Sequence, residues 1–308
     1  RRYEYGRGPA RCVYGGFLNP NYAFLKAFFG KVIQHKVRGY KYKGNVMLSE
    51  SEVKAYHQNG YVVPKGFRFE KNELAKLQAG LNSVLSKNPT IMPDRLINPH
   101  LNKGKPCLIE GDPVFHWLVH DPRILRIAES VMGPNLILLF THLFCKPAAS
   151  SRSVPWHQDG PFWPVKPMKS CTIWVALDDV DAANGAMKVI PGSHKKDALE
   201  HNLIEDKNST LNRELPIENI DEKSAQFIEL KAGEVSVHDI GIIHGSAANS
   251  SGRRRAGLAL RYMPSTSCMN RIMPNASASW EDMPMELVSG ANLNRGNDFS
   301  LGDFGLGW

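Results

Sequence analysis

The chain has 308 residues, 42% hydrophobic and 22% charged, an ordinary soluble composition with enough length for one large core. Its longest plain aliphatic run, Leu136 to Phe140, is far too short to cross a bilayer, and five scattered cysteines (Cys12, Cys107, Cys145, Cys171, Cys268) with no Cys-x-x-Cys exclude a disulfide framework or a cysteine zinc site. The net charge of +8 is uneven: residues 1–44 hold ten Lys/Arg against Glu4 alone, and the rest of the chain balances to −1.

The basicity therefore belongs to an N-terminal arm, residues 1–44, and not to the body, residues 45–308. Within the arm, Phe24, Phe28 and Lys31, like Leu25, Phe29 and Val32, recur at helical spacing. That predicts a short amphipathic helix packing its aromatic side chains on the body. A processed organelle-targeting remnant is a second reading, because such segments are basic and poor in acids. Cysteine usage indicates a reducing compartment, the cytoplasm, or an organelle matrix if the arm is such a remnant.

After the arm, Ser49 followed by Glu52 is a capping box and Gly60 a stop, which predicts a helix between them. Tyr61-Val-Val begins a strand. Asn72 to Ser86, with Leu74, Leu77, Leu81 and Val84 on one face, is a second helix, and Pro122 to Met132 a third. From Leu136 the pattern changes to short strands, clearest at 136–145, 171–178, 186–190, 234–237 and 256–263. Asn184-Gly185 reads as a hairpin turn and Asn249 to Gly252 as another tight return. The polar stretch from Lys195 to Lys223 is long for a connection and reads as a lid or mobile insertion. Ser289 to Trp308, rich in glycine, reads as an ordered tail or closing flap. Helices first and short strands afterwards suit a mainly β jelly roll with a helical flank, its core at about 135–265.

The chemistry centres on Pro-Trp-His-Gln-Asp-Gly-Pro, residues 155–161. On a strand, His157 and Asp159 would leave the same face. An imidazole and a carboxylate side by side, joined by a second histidine, make the 2-His-1-carboxylate set that leaves positions open on iron(II). His-x-Asp alone is a weak signal. It gains weight from His244, in Ile-Ile-His-Gly-Ser, and from Arg255 eleven residues beyond. A buried Asp without a cation would be costly. Counting by two, Arg255, Gly257, Ala259 and Arg261 share one strand face, and Leu258, Leu260 and Tyr262 the other. The planar fork of Arg255 suits a terminal carboxylate. Arg253 and Arg254 read as a solvated basic turn. Arg261 is either a substrate contact or a surface salt bridge. Asp178 and Asp179 pair with no base or nucleophile and read as strand-end residues.

With Trp174-Val-Ala-Leu-Asp-Asp179, Asn184-Gly185, Pro191-Gly-Ser-His194 and Arg261-Tyr262, these residues closely resemble the phytanoyl-CoA dioxygenase family. The resemblance is dense from about Asn135 to Tyr262. It implies a double-stranded β-helix (jelly roll, cupin-like) and an iron(II)- and 2-oxoglutarate-dependent dioxygenase. On that reading His157, Asp159 and His244 hold iron, and Arg255 takes the far carboxylate of 2-oxoglutarate. Trp174 and His142 line the cosubstrate pocket, and Lys105 aligns with a pocket lysine through a poorly matched loop. Oxygen would be the second cosubstrate and ascorbate a stimulant. The reaction would hydroxylate a small organic molecule and release succinate and CO2. Trp156, Phe162 and Trp163 would wall the substrate site or pack the mouth of the jelly roll. Asn98-Pro99-His100 would cap the pocket or form a plain loop, and Ser193 and His194 would fix a turn. Two other readings are a non-catalytic jelly-roll binding protein and a nucleic-acid-directed oxygenase that uses the arm.

Overall fold

A computed structural model describes residues 47–101, 109–149, 152–271 and 280–299. The basic arm with its expected helix, Lys105, Cys12 and Cys107, and the tail beyond residue 299 lie outside the described residues.

The helical flank forms where capping chemistry directs it. In α1 (Glu50–Asn59) the Ser49 hydroxyl accepts the Glu52 N–H at 3.3 Å while the Glu52 carboxylate accepts the Ser49 N–H at 2.8 Å. Gly60 ends the helix at φ 81, a left-handed backbone that glycine adopts freely. A short strand β1 (Tyr61–Val62) follows, then α2 (Lys71–Lys87), which buries Leu77, Leu81 and Val84 completely. After β2 (Leu96–Ile97) comes α3 (Pro113–Val119), which the sequence reading did not anticipate. It is too short to show a helical period, although Asp112 caps it and Pro113 occupies its first turn. The expected third helix is α4 (Pro122–Met132), capped by Asp121.

The strands then build two facing sheets. They are β3 (Leu136–Lys146), β4 (Val154–His157), β5 (Val165–Lys166), β6 (Cys171–Ala176) and β7 (Met187–Val189). The paired short strands β8 (Asn202–Leu203) and β9 (Arg213–Glu214) interrupt the long polar connection. They are followed by β10 (Gln226–Ile228), β11 (Val235–Asp239), β12 (His244–Ser246), β13 (Arg255–Pro264), β14 (Cys268–Met269) and β15 (Glu286–Ser289). The larger sheet runs β1-β11-β6-β13-β3-β15, with β2 also on β3, and the smaller runs β10-β7-β12-β4. Within both sheets the strands pair antiparallel, giving the jelly roll.

Two turns do something other than expected. Asn184-Gly185 closes a 3-10 turn with Gly185 at φ 84, but β6 and β7 belong to opposite sheets, so the chain changes layer there instead of forming a hairpin. Likewise β13 does not run back beside His244. It leaves β12 in the small sheet and inserts between β6 and β3 in the large one. The alternation of side chains survives this crossing. Leu258, Leu260 and Tyr262 point outward and join Ile173, Val175, Val235 and Val237 in one core with the helices. Each such side chain contributes about 1.5–3 kcal/mol through burial. Between the sheets, Trp174, Ala176, Ala259, Val189 and Ile242 form a smaller cluster. That leaves the neighbouring interior for polar groups.

Candidate active site

His157 ends β4, and its cross-strand partner in the small sheet is His244, the first residue of β12. Their rings lie 4.1 Å apart with planes tilted by 48°. Each Nδ1–H donates to the carbonyl two residues back, His157 to Pro155 at 2.8 Å and His244 to Ile242 at 3.0 Å. That bond fixes the tautomer, so both Nε2 lone pairs are free for a cation. Asp159 is not on the strand, contrary to the sequence reading. It sits in the right-handed helical region at φ −67 and ψ −39, before the turn Gly160–Phe162. The chain turns as β4 ends, and the turn, not a period of two, brings its Oδ1 to 3.5 Å from His157 Nε2.

Ligand atoms from His157, Asp159 and His244 all lie within 4.8 Å of one another, and all three residues are buried. Burial, then the neighbouring His157, pushes the His244 imidazole well down, so it is neutral at physiological pH. Burial alone would raise the Asp159 carboxyl, but the adjoining His157 ring and the positive charge of Arg261 hold it well below the usual range. Two imidazoles and one carboxylate on one spot are a donor set for a divalent metal with open positions, and iron(II) fits it.

The ligands face the inner side of the large sheet, whose side chains form rows across four strands. One row is His238, Thr172, Arg261 and Phe140, and the next is Ser236, Trp174, Ala259 and His142. Gly257 lies between Ala176 and Phe144, and Arg255 pairs with Lys146. The Arg255 guanidinium stands 4.8 Å over the Trp174 ring. Gly257 leaves no ligand space on this wall, because Trp174 fills it. A Cβ there would lie 2.0 Å from the Trp174 ring, so the glycine is what lets tryptophan lie beneath Arg255.

Polar atoms on this face lack partners in a way rarely seen inside proteins. Thr172 Oγ1, Ser236 Oγ, His238 Nδ1, Arg255 Nε, and Arg261 Nε and Nη1 are buried and find no hydrogen-bond partner among the described residues. Burial brings both Arg255 and Arg261 down to about 10 and His238 to about 4. Lys146 is lowered to about 7, by burial and then by the charge of Arg255, while its Nζ donates to Ser246 Oγ at 2.8 Å. Orphaned donors lining one wall mark a space built for a polar ligand.

The remaining candidates separate cleanly. His142 faces inward, its Nε2 3.0 Å from the Asp94 carbonyl oxygen and its ring 3.7 Å from that of Phe144. Arg261 is buried against Phe140 and Trp163, which removes the surface salt bridge. Phe162 meets His157 edge-on at 6.3 Å, whereas Trp163 packs in the core. Trp156 points to the long connection, where its Nε1–H donates to Glu222. Asn98 and His100 bond Thr141, whose side chain leaves β3 on the face opposite His142, so they brace the strand and do not cap the pocket. Ser193 fixes its turn, donating to the Ile190 carbonyl and accepting the Ile243 N–H. Arg254 is not merely solvated: it holds Asp178 through two nitrogens at 2.8 and 2.9 Å.

Three groups near the site had not been singled out. Lys146 was within reach of the alternation, four residues on from His142, but His238 became a neighbour only through strand pairing. The third is Gln158, fully buried between the two candidate ligands. Its amide donates to the Gly241 carbonyl and accepts the Leu199 N–H, while its backbone N–H reaches His201. The long connection is thereby tied to the metal motif.

The family model described as Phytanoyl-CoA dioxygenase (PhyH) matches residues 56–257. A probable alpha-ketoglutarate-dependent hypophosphite dioxygenase of Stutzerimonas stutzeri is 28% identical over 236 residues, 70% of this chain and 78% of that protein. The peroxisomal phytanoyl-CoA dioxygenase of Homo sapiens is 27% identical over 238 residues, 71% of this chain and 69% of its own length. Among solved structures, the non-heme monooxygenase ThoJ in its apo form superposes with a TM-score of 0.64 at 25% identity, covering 80% of this chain and 85% of that one. CytC3 with Fe(II) and alpha-ketoglutarate, at 20% identity, shares the fold with a TM-score of 0.58 over 82% of this chain and 94% of its own. A match that spans most of the body, on a jelly roll whose inner wall gathers two histidines, an aspartate and an arginine, establishes that the chain belongs to the phytanoyl-CoA dioxygenase family.

Proposed function

We propose that His157, Asp159 and His244 hold iron(II), and that Arg255 anchors 2-oxoglutarate with Trp174 and His142 lining its pocket. By family the chain is an iron(II)- and 2-oxoglutarate-dependent dioxygenase; the proposal concerns which residues act and on what class of substrate. The observation that carries it is the convergence of three ligand atoms within 4.8 Å, with both histidine tautomers set by backbone carbonyls. Iron bound there supplies the oxygen chemistry that converts 2-oxoglutarate to succinate and CO2 while a substrate is hydroxylated.

The chain's own residues do the rest. Arg255 offers its fork to the distal carboxylate, and the Trp174 face beneath holds that fork flat. Lys146 adds a second positive charge at the same end, because an anion beside it favours its protonated form. Phe162 and the connection tied down through Gln158 shield the metal side from water. With Asp159 among its ligands, iron held here would supply hydroxylation and not halogenation chemistry. The substrate is a small molecule, admitted on the side of Phe162 and His201, whose rings lie 4.9 Å apart. Residues 45–308 form the oxygenase domain, and the basic arm is dispensable for chemistry because no proposed ligand lies in it. No described helix is long and apolar enough to cross a membrane.

Anaerobic addition of iron(II) and 2-oxoglutarate should give the weak visible band of a chelated keto acid. H157A and H244A should lose both the band and stoichiometric iron; retention in both variants refutes the ligand assignment. With a turned-over substrate in chloride buffer under labelled oxygen, mass spectrometry should find one labelled oxygen and no chlorine.

A further inference from the structure

A second pair of imidazoles with a carboxylate lies outside this site. His116 and His120 are four apart, at the end of α3 and just beyond it, so their rings leave the same side. Glu286, which opens β15 and pairs with Leu138 of β3, comes up to meet them. A ligand atom from each of the three lies within 4.8 Å of the others. The internal geometry repeats that of the iron site. The two rings are 4.6 Å apart and tilted by 43°, against 4.1 Å and 48° for His157 and His244. His120 Nδ1 is 2.8 Å from the His116 carbonyl oxygen, the same device that fixes the tautomer of both candidate iron ligands. Its Nε2 then faces Glu286 Oε1 at 2.7 Å.

With Nδ1–H committed to a carbonyl, a neutral His120 would present a lone pair to a carboxylate. Something positive must lie between them: a proton, or a metal ion that replaces it. His116 decides which is the better fit. Its Nε2 is buried and finds no hydrogen-bond partner among the described residues. A shared proton on His120 leaves the His116 ring unengaged, whereas a metal ion takes up one of its nitrogens, which already lies within 4.8 Å of the other two ligand atoms. Two imidazoles and one carboxylate suit zinc(II), with water as fourth ligand. The His120 and Glu286 side chains are 32% and 28% exposed, so an ion can enter from solvent.

We propose that His116, His120 and Glu286 form a second metal site, of the zinc(II) class, that clamps the helical flank to the edge strand of the large sheet. The inference is independent of the iron assignment, since it shares no residue with that site. Replacing a proton by a metal would draw the 2.7 Å contact apart toward the 3.5 Å seen between His157 and Asp159.

Cobalt(II) is a suitable probe, because its visible spectrum reports imidazole and carboxylate ligation. Under anaerobic conditions and mildly alkaline pH, the full chain should bind two equivalents. H157A/H244A should bind one and H116A/H120A one, with different spectra, and zinc(II) should bleach the spectrum of cobalt-loaded H157A/H244A. A wild-type chain that binds one equivalent, together with H157A/H244A that binds none, overturns the proposal. So does cobalt in H157A/H244A that zinc fails to displace. If H116A/H120A does not fold, Glu286→Gln carries the test. It keeps the side chain's shape and should weaken one of the two equivalents at least tenfold, and unchanged affinity at both overturns the proposal.

Discussion

The two faces of the large sheet are built from alternate residues of the same strands, yet they carry opposite chemistry. On β13 the outward side chains Leu258, Leu260 and Tyr262 are fully buried under the helices. The inward ones alternate with them and include Arg255 and Arg261, whose Nε atoms, with Nη1 of Arg261, are buried without a hydrogen-bond partner among the described residues. An apolar face lowers its free energy by being covered, and the helices cover it completely. The inner face leaves charged groups buried and unpaired, at a cost of several kcal/mol if nothing binds them. Stability is thus concentrated on one side of a single layer and ligand affinity on the other. The inner face is tolerable because the outer one is so well packed.

Substitutions at the ligand set and along β13 should separate the two properties. The largest effect is expected for H244A, which should bring turnover below detection while the metal-free chain melts within a few degrees of wild type. A collapse of the fold in H244A would show that the ligand set also carries stability. Arg255→Ala should raise the 2-oxoglutarate requirement about thirty- to several-thousand-fold, the range for removing one partner of a buried charge-assisted pair (about 2–5 kcal/mol), with iron binding nearly intact. Isothermal titration with the keto acid reads it directly. Leu258→Ala, three residues away and outward, should do the reverse. It should cost about 2–5 kcal/mol of stability in a denaturant melt and leave the 2-oxoglutarate requirement of the folded fraction unchanged.

Acid should act on the inner face before the outer. Burial lowers His142 to about 3 and His238 to about 4, both below the 6.5 of an exposed imidazole. A depressed histidine is neutral in the fold but takes a proton when unfolded. The stability that depends on neutrality is therefore full above about pH 6.5 and drains away as pH falls toward 4. His238→Gln should flatten that decline in the metal-free protein, and an unchanged slope would exonerate His238. The smallest effect is expected at Arg254, which faces away from the ligands. Losing its partly exposed bidentate pair with Asp178 should cost about 1 kcal/mol, with no change in 2-oxoglutarate binding.

Capping chemistry, strand period and residue type set the local elements and most of the chemical inventory. Ser49, Glu52 and Gly60 mark both ends of α1 because a cap is satisfied by residues within a few positions. The alternation along 255–262 tells which side chains share a face because the strand period is two wherever the strand is placed. The residue types at 157, 159, 244 and 255 name a metal and a carboxylate for the same reason: ligand chemistry belongs to the side chain. What lies across the layers depended on long-range pairing. Only tertiary structure placed β13 between β6 and β3, set His238 beside Thr172 and Arg261, and filled the space above Gly257 with Trp174. It also put Asp159 on a turn and brought Glu286 to His120, 166 positions away in the chain. Such neighbours are fixed by which apolar faces find cover, a property of the whole fold that no local pattern encodes.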